Sequence, residues 1–183
     1  MSVRKKIKRP PHRRVVDARL LKTLKHVVLF RGLSVAVLSK LLAKSEVKTF
    51  QKDQFIFHAG QVSDGSYVNL QGVLRIENNG IFLSKVDEGE TVGEMGVLND
   101  LPRSADLLAM TETKVLFIPK QHLYRIMKNN QKTAVTIYKN AVWILGTLIR
   151  NKNIVMEFIK ILDNSVLASL ASEDLSHLRP NVE

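Results

Sequence analysis

Between Val47 and Ile118 the chain gives up helical spacing for short apolar runs cut by turn residues. This grain restricts the fold more than any other feature. Val47-Lys48-Thr49-Phe50 alternates, and Phe55-Ile56-Phe57 is an aromatic and β-branched run stopped by Gly60. Tyr67 to Leu70 and Val73 to Ile76 are short strands punctuated by Gly72. Asn78-Asn79-Gly80, between Ile76 and Ile81-Phe82-Leu83, signals a tight hairpin turn, because Asn and Gly tolerate positive φ. Further strands are expected at Asp106–Met110 and Lys114–Ile118. Short strands with turns every ten or so residues build sandwiches or barrels.

Helical spacing flanks this region. Leu20, Leu21, Leu24, Val27 and Val28 fall on one helix face, and Ser34 is a good N-cap for a second short helix through Leu42. After Pro119, Leu123, Ile126 and Met127 predict a helix that Asn129-Asn130 interrupts, and a long helix follows from about Lys132. Along it Ala141, Leu145, Leu148, Val155, Ile159, Leu162 and Val166 recur in steps of four and three, broken only by Lys152. That 3.5-residue period is a coiled-coil seam and predicts a homodimer. The alternative is a monomer lid hinged at Asn151-Lys152-Asn153.

The net charge of +11 raises the question of nucleic acid. Residues 1–19 hold eight Lys and Arg against Asp17 alone, and the rest of the chain is close to balanced. A tail containing Pro10-Pro11 should be extended, suited either to an acidic surface or simply to solubility. No base-reading element accompanies it, so no sequence-specific nucleic-acid partner is expected. The chain has no cysteine, which excludes disulfides, thiolate metal sites and cysteine nucleophiles. No apolar run approaches the roughly 20 residues of a transmembrane helix, and no secretory h-region follows the basic N-terminus. A cytoplasmic location is expected. The five histidines (12, 26, 58, 122, 177) have no metal-ligand spacing, so no metal is expected. No GxSxG, HExxH or nucleophile–base pair is legible, and the chain is not expected to be an enzyme.

The chemistry concentrates between Gly89 and Ala105. Glycines at 89, 93 and 96 allow close backbone approach. A helical turn starting near Met95 would point free N–H groups at an anion. Arg103 supplies a planar fork for phosphate oxygens, with the Ser104 hydroxyl beside it. Glu94 is an acceptor placed to take a hydroxyl proton, such as that of a ribose 2′-OH. The absence of GKS/T excludes a P-loop.

Val92-Gly93-Glu94-Met95-Gly96-Val97 followed by Pro102-Arg103-Ser104-Ala105-Asp106 resembles the phosphate-binding cassette of cyclic-nucleotide-binding domains. Those occur in catabolite-activator-type regulators, cyclic-nucleotide-dependent kinases and gated channels, and read roughly F-G-E-L-A-L then P-R-x-A-T. Phe55-Ile56-Phe57 with Gly60, Tyr67 with Gly72, and Phe30-Arg31-Gly32-Leu33-Ser34 are similar to flanking family motifs. The resemblance covers about residues 20 to 150. It implies an α+β fold: an antiparallel β-roll, a double-stranded jelly-roll-like barrel, flanked by N-terminal helices and a long C-terminal helix. The expected organisation is a basic tail over 1–18, the nucleotide-binding domain over 19–150, and a helical extension over 151–183. No helix-turn-helix unit is legible after the long helix, so a stand-alone member is expected.

The resemblance also implies site roles. Gly93 and Met95 would give backbone contacts near the sugar-phosphate, Glu94 would accept from the ribose 2′-OH, and Arg103 would pair with exocyclic phosphate oxygens. Ser104 and Ala105 would add a hydroxyl and a backbone N–H to the same phosphate. The ligand implied is a cyclic mononucleotide, cAMP ahead of cGMP, because Asp106 stands where a Thr or Ser often contacts guanine. That carboxylate would sit near a phosphate unless turned away, or would accept from the guanine amino group. Asp53-Gln54 replaces the glycine–acid pair usual before the second strand. A receptor of this kind would relay its state to a separate signalling protein; the alternative is a ligand-free scaffold for protein–protein contacts.

Overall fold

The computed structural model describes residues 17–150. Most of the basic tail, the extension over 151–183 and the seam positions from Val155 onward lie outside the described residues. The chain divides into two compact units, 1–140 and 141–183. In the second, the described residues 141–150 are helical.

Two helices lead in. α1 (Ala18–His26) starts where the Asp17 carboxylate accepts from Arg19 N–H at 2.8 Å, and α2 (Val35–Leu42) starts where Ser34 Oγ accepts from Val37 N–H. These side-chain oxygens satisfy donors that a helix start leaves free. A 3₁₀ turn at Val28–Phe30 joins the two. Leu24, Leu29, Phe30, Leu38 and Leu41 are fully buried beneath them.

Eight strands follow: β1 (Glu46–Phe50), β2 (Phe55–Phe57), β3 (Gly65–Gln71), β4 (Leu74–Asn78), β5 (Ile81–Val86), β6 (Thr91–Val92), β7 (Asp106–Ala109) and β8 (Thr113–Pro119). All pairings are antiparallel, in two four-stranded sheets ordered β1-β8-β3-β6 and β2-β7-β4-β5. The chain shuttles between the sheets, which is the jelly-roll connection. Phe57, Leu74, Val86, Leu107, Val115 and Phe117 fill the space between them. Alternation puts these residues on the inner faces, and their period-2 neighbours outside. The β4–β5 hairpin closes through Asn79 (φ 50°) and Gly80 (φ 76°), with Asn78 paired to Ile81, so the turn legible in the sequence forms as expected.

α3 (Glu94–Leu98) is a single short helix inserted between β6 and β7. α4 (Lys120–Lys128) follows β8 directly and ends at Asn129, and helical conformation resumes at 131. α4 reaches back to both its neighbours. His122 Nε2 donates to the Lys40 carbonyl of α2 at 2.7 Å, and Lys120 N–H donates to the Asp64 carbonyl at 2.8 Å.

At the turn into β2, Asp53 takes φ 64°, the left-handed conformation that a glycine supplies without steric cost. Its N–H donates to the Ala109 carbonyl at 2.7 Å, so the turn is pinned to the end of β7. The substitution at this position is thus a matter of backbone geometry.

Truncating a fully buried residue between the sheets tests the core. Leu107→Ala is expected to lower unfolding free energy by about 2–5 kcal/mol in a urea or guanidinium titration with an unchanged m-value. A loss under about 1 kcal/mol would mean that the sheets do not pack as described.

Candidate functional site

The site is built where β6 runs into α3 and where the chain returns to β7. Gly93 caps α3 in the left-handed conformation, φ 78°. A Cβ at this position would collide with Arg103 Nη1, so glycine is needed both for the turn and for the close approach. The first N–H groups of α3, on Glu94, Met95 and Gly96, lack carbonyl partners within the helix, as at any helix start.

Arg103 approaches from the other side of Gly93. Its side chain is 1% exposed. Nη1 donates to the Gly93 carbonyl at 2.9 Å, and Nη2 donates to Asp64 Oδ1 at 2.8 Å and to the Gly65 carbonyl at 2.6 Å. The guanidinium lies over the Phe57 ring, 4.2 Å from its centroid, and 5.6 Å from that of Tyr67. Cation–π attraction is strongest in such desolvated settings. Its Nε is buried without a hydrogen-bond partner among the described residues.

Backbone pairing holds the two loops together. Gly60 N–H donates to the Arg103 carbonyl and Arg103 N–H to the Gln61 carbonyl, both at 2.8 Å, and Ser63 Oγ donates to the Leu101 carbonyl. On the far side α4 grips the same segment. The Tyr124 hydroxyl donates to the Val97 carbonyl, and Lys120 is ion-paired with Asp100.

Glu94 is 7% exposed, and its Oε2 has no hydrogen-bond partner among the described residues. Burial pushes its carboxyl up to about 7, against the opposing pull of its own backbone N–H and the charge of Arg103. Burial likewise raises the Tyr67 phenol to about 12, helped by the Asp64 charge and opposed by Arg103. The result is a buried acceptor with spare lone pairs beside a fixed cation and a helix start. Such a group can take a hydrogen bond from a hydroxyl that water does not reach.

The sequence-predicted residues are therefore mostly brought together. Gly93, Glu94 and Met95 share the helix start, and Arg103 lies against Gly93. Ala105 is buried just beyond it, while Ser104 is exposed. Asp106 takes the turned-away disposition, one of those the sequence left open. It is the first residue of β7, one step out of phase with the inward Leu107 and Ala109, and its Oδ1 accepts from Ala59 N–H at 2.8 Å and pairs with His58 Nδ1 at 3.2 Å. The carboxylate is engaged with those donors and is turned away.

Sequence reasoning missed the partners of Arg103. Asp64, Phe57 and Tyr67 lie 36 to 46 positions upstream, and only the β2–β3 connection brings them beneath the guanidinium. An acid just ahead of an aromatic strand carries no signal of its own.

Comparison with known proteins places this geometry. The family model for the cyclic nucleotide-binding domain matches residues 47–130. The chain is 28% identical over 110 residues to the cAMP-dependent protein kinase type II regulatory subunit of Drosophila melanogaster, covering 60% of this chain and 29% of that one. It is 27% identical over 106 residues to an uncharacterized NTE family protein of Mycobacterium tuberculosis, covering 57% and 18% respectively. The chain thus spans less than a third of the length of either relative. Among solved structures, a mutant regulatory subunit of a cAMP-independent protein kinase A from Trypanosoma brucei, bound to cAMP in the A site, superposes with a TM-score of 0.57 at 27% identity. That match covers 59% of this chain and 41% of that one. The sensor domain of the transcriptional regulator DNR from Pseudomonas aeruginosa gives 0.60 at 22% identity, covering 68% and 92%, a likeness of fold. Among the described residues no helix is long and apolar enough to cross a membrane, and no group of three or more His, Cys, Asp or Glu could hold a metal ion.

The Glu94 carboxyl gives a pH signature. Its folded-state value of about 7 lies above the ordinary 4.5, so between those values the folded protein holds a proton that the unfolded chain releases. Stability therefore falls as pH rises through that window, by about 3 kcal/mol in all. Glu94→Gln is expected to flatten the dependence. Denaturant titrations at pH 5, 6, 7 and 8 check this, and parallel profiles for the two proteins would refute it.

Proposed function

We propose, from the match of residues 47–130 to the cyclic nucleotide-binding domain family model, that this chain is a receptor for a cyclic mononucleotide, most readily cAMP, that relays its bound state to a separate signalling protein. The observation that carries the proposal is the Glu94 carboxyl, buried with an unpartnered Oε2 next to Arg103 and the start of α3. A ribose 2′-OH satisfies that oxygen, while the phosphate takes the α3 N–H groups, the Ser104 hydroxyl and the Ala105 N–H. Arg103 balances the phosphate charge. The preference for cAMP rests on Asp106, whose carboxylate is engaged by Ala59 and His58 and has no hydroxyl to offer guanine.

Relay is proposed to run through the helices after β8, which α4 links to α3 by Tyr124 and Lys120. Homodimerisation is proposed along Ala141, Leu145 and Leu148, whose spacing continues into the extension. Leu148→Glu would set two charges face to face in that seam and should shift light scattering from dimer to monomer. A wild-type protein that stays monomeric at high micromolar concentration, with and without nucleotide, would rule the seam out.

A second reading, a ligand-free scaffold, is favoured by one observation: Arg103 already has Asp64 and two carbonyls as acceptors. Calorimetry with cAMP and cGMP separates the two. The receptor should bind cAMP several-fold better than cGMP, and Arg103→Ala should lose roughly thirty- to thousandfold in affinity, or about 2–4 kcal/mol. Arg103→Lys, which keeps the charge without the fork, should also bind more weakly while folding more nearly normally. Affinity should rise between pH 6 and 8 as Glu94 ionises. Absence of heat with either nucleotide at millimolar concentration would favour the scaffold.

A further inference from the structure

The charges of this protein are segregated by layer. Residues 46–112, which form all of the β-roll but its last strand, hold eleven Asp and Glu against five Lys and Arg. The helical segments 18–45 and 119–140 hold eleven Lys and Arg and no Asp or Glu. Lys120 is ion-paired with Asp100; the other ten are exposed and form no ion pair among the described residues. The two helical segments, 28 and 22 residues long, are both without an acid, while eleven acids crowd into the roll between them.

The helices that carry these cations form one contiguous layer. Asn140 Nδ2 donates to the Leu29 and Arg31 carbonyls at 3.0 and 2.9 Å, and Gly32 faces Thr136. Lys132 and Lys139 stand four residues before and three after Thr136, on the same helix face, so they flank Arg31. Farther along, His122 reaches the Lys40 carbonyl, and Arg125 lies one turn on from His122. On α1, Arg19, Lys22 and Lys25 repeat every third position and are exposed.

We propose that this helical layer is a docking surface for the phosphate backbone of nucleic acid, bound without regard to base sequence. The surface goes beyond the nucleotide site, which lies on the roll, and stands or falls separately. Ten cations without an ion pair among the described residues, and no acid among them to compete with a polyanion, match a phosphate chain in sign. The layer exposes few of the large apolar side chains a bilayer anchor requires, Val35, Val135 and Tyr138 alone among its described residues. Exposed Trp, Phe or Leu should be interleaved with the cations, but on α1, α2 and α4 these types are buried or half-buried (Leu24, Leu38, Leu41, Leu123). The preceding residues 1–16 add seven more Lys and Arg to the same polarity.

The test uses the full chain and a fluorescein-labelled 20-base-pair DNA duplex of mixed sequence, followed by anisotropy between 50 and 200 mM salt. A scrambled duplex should bind equally well, and log Kd should rise steeply with log salt. The triple variant Arg31→Gln, Lys132→Gln, Lys139→Gln should bind roughly tenfold more weakly, with a log–log slope shallower by about two to three. Its melting temperature and its affinity for cAMP should match wild type, because none of the three residues touches the nucleotide site. An unchanged slope in the variant would overturn the proposal, since any DNA binding would then come from outside this layer. So would binding to vesicles containing phosphatidylserine with none to DNA. Salt-sensitive self-association of the wild type that blocks DNA would overturn it as well, the acidic roll of a second copy then being the partner. Failure of cAMP to bind wild type, with DNA binding intact, would refute the receptor alone.

Discussion

A guanidinium keeps its charge in any protein environment, and the Arg103 side chain is buried to within 1% of complete. Its charge must therefore be matched by groups held against it, one of them a carboxylate on the solvent side. Asp64 supplies the counter-charge, the Gly93 and Gly65 carbonyls take further N–H groups, and the Phe57 and Tyr67 rings supply a π-face. Removing one partner of such a set strands a buried charge, which costs far more than the pair contributes net. The constraint fixes the geometry of three segments at once: the β2–β3 loop, the start of β3, and the α3 turn. A site assembled from such distant stretches needs a fastener of this kind.

Glu94 shows the complementary situation. Its carboxyl is as deeply placed as Arg103, yet it lacks a full set of donors, and burial raises its pKa to about 7 in consequence. Arg103 is held through both Nη atoms with Nε left over, while the Glu94 carboxyl keeps a whole oxygen without a donor among the described residues. Stability alone would favour pairing both. An acceptor kept half-satisfied next to a fixed cation is an arrangement expected of a binding site, where the missing donor arrives with a ligand. The oxygen therefore sets what can enter: a hydroxyl with a nearby negative charge fits, and an apolar group does not.

The same contrast between layers governs the rest of the molecule. The roll concentrates acids and turns, and the helices concentrate cations. α4 is the hinge between them, holding α2 through His122 and the α3 segment through Tyr124 and Lys120. These are direct bonds to backbone carbonyls and a carboxylate, and they tie α4 to both α2 and the α3 segment.

The sequence by itself determined what depends on local chemistry. Period-2 runs and the Asn79-Gly80 turn marked the strands and a hairpin, Ser34 marked a helix start, and the spacing of Gly93, Glu94 and Arg103 marked the site. These are legible because each is set by neighbours within a few residues. β6 escaped notice, since two residues cannot show a period. Only the tertiary structure decided that Arg103 is held by Asp64 and two rings, and that Asp106 is turned to Ala59 and His58. It also decided that Glu94 is left with an oxygen lacking a partner among the described residues and that cations scattered over four helices and the turns beside them share one layer. Those outcomes depend on pairing between residues tens of positions apart. Strand order and register determine which of them meet, and no single segment encodes either.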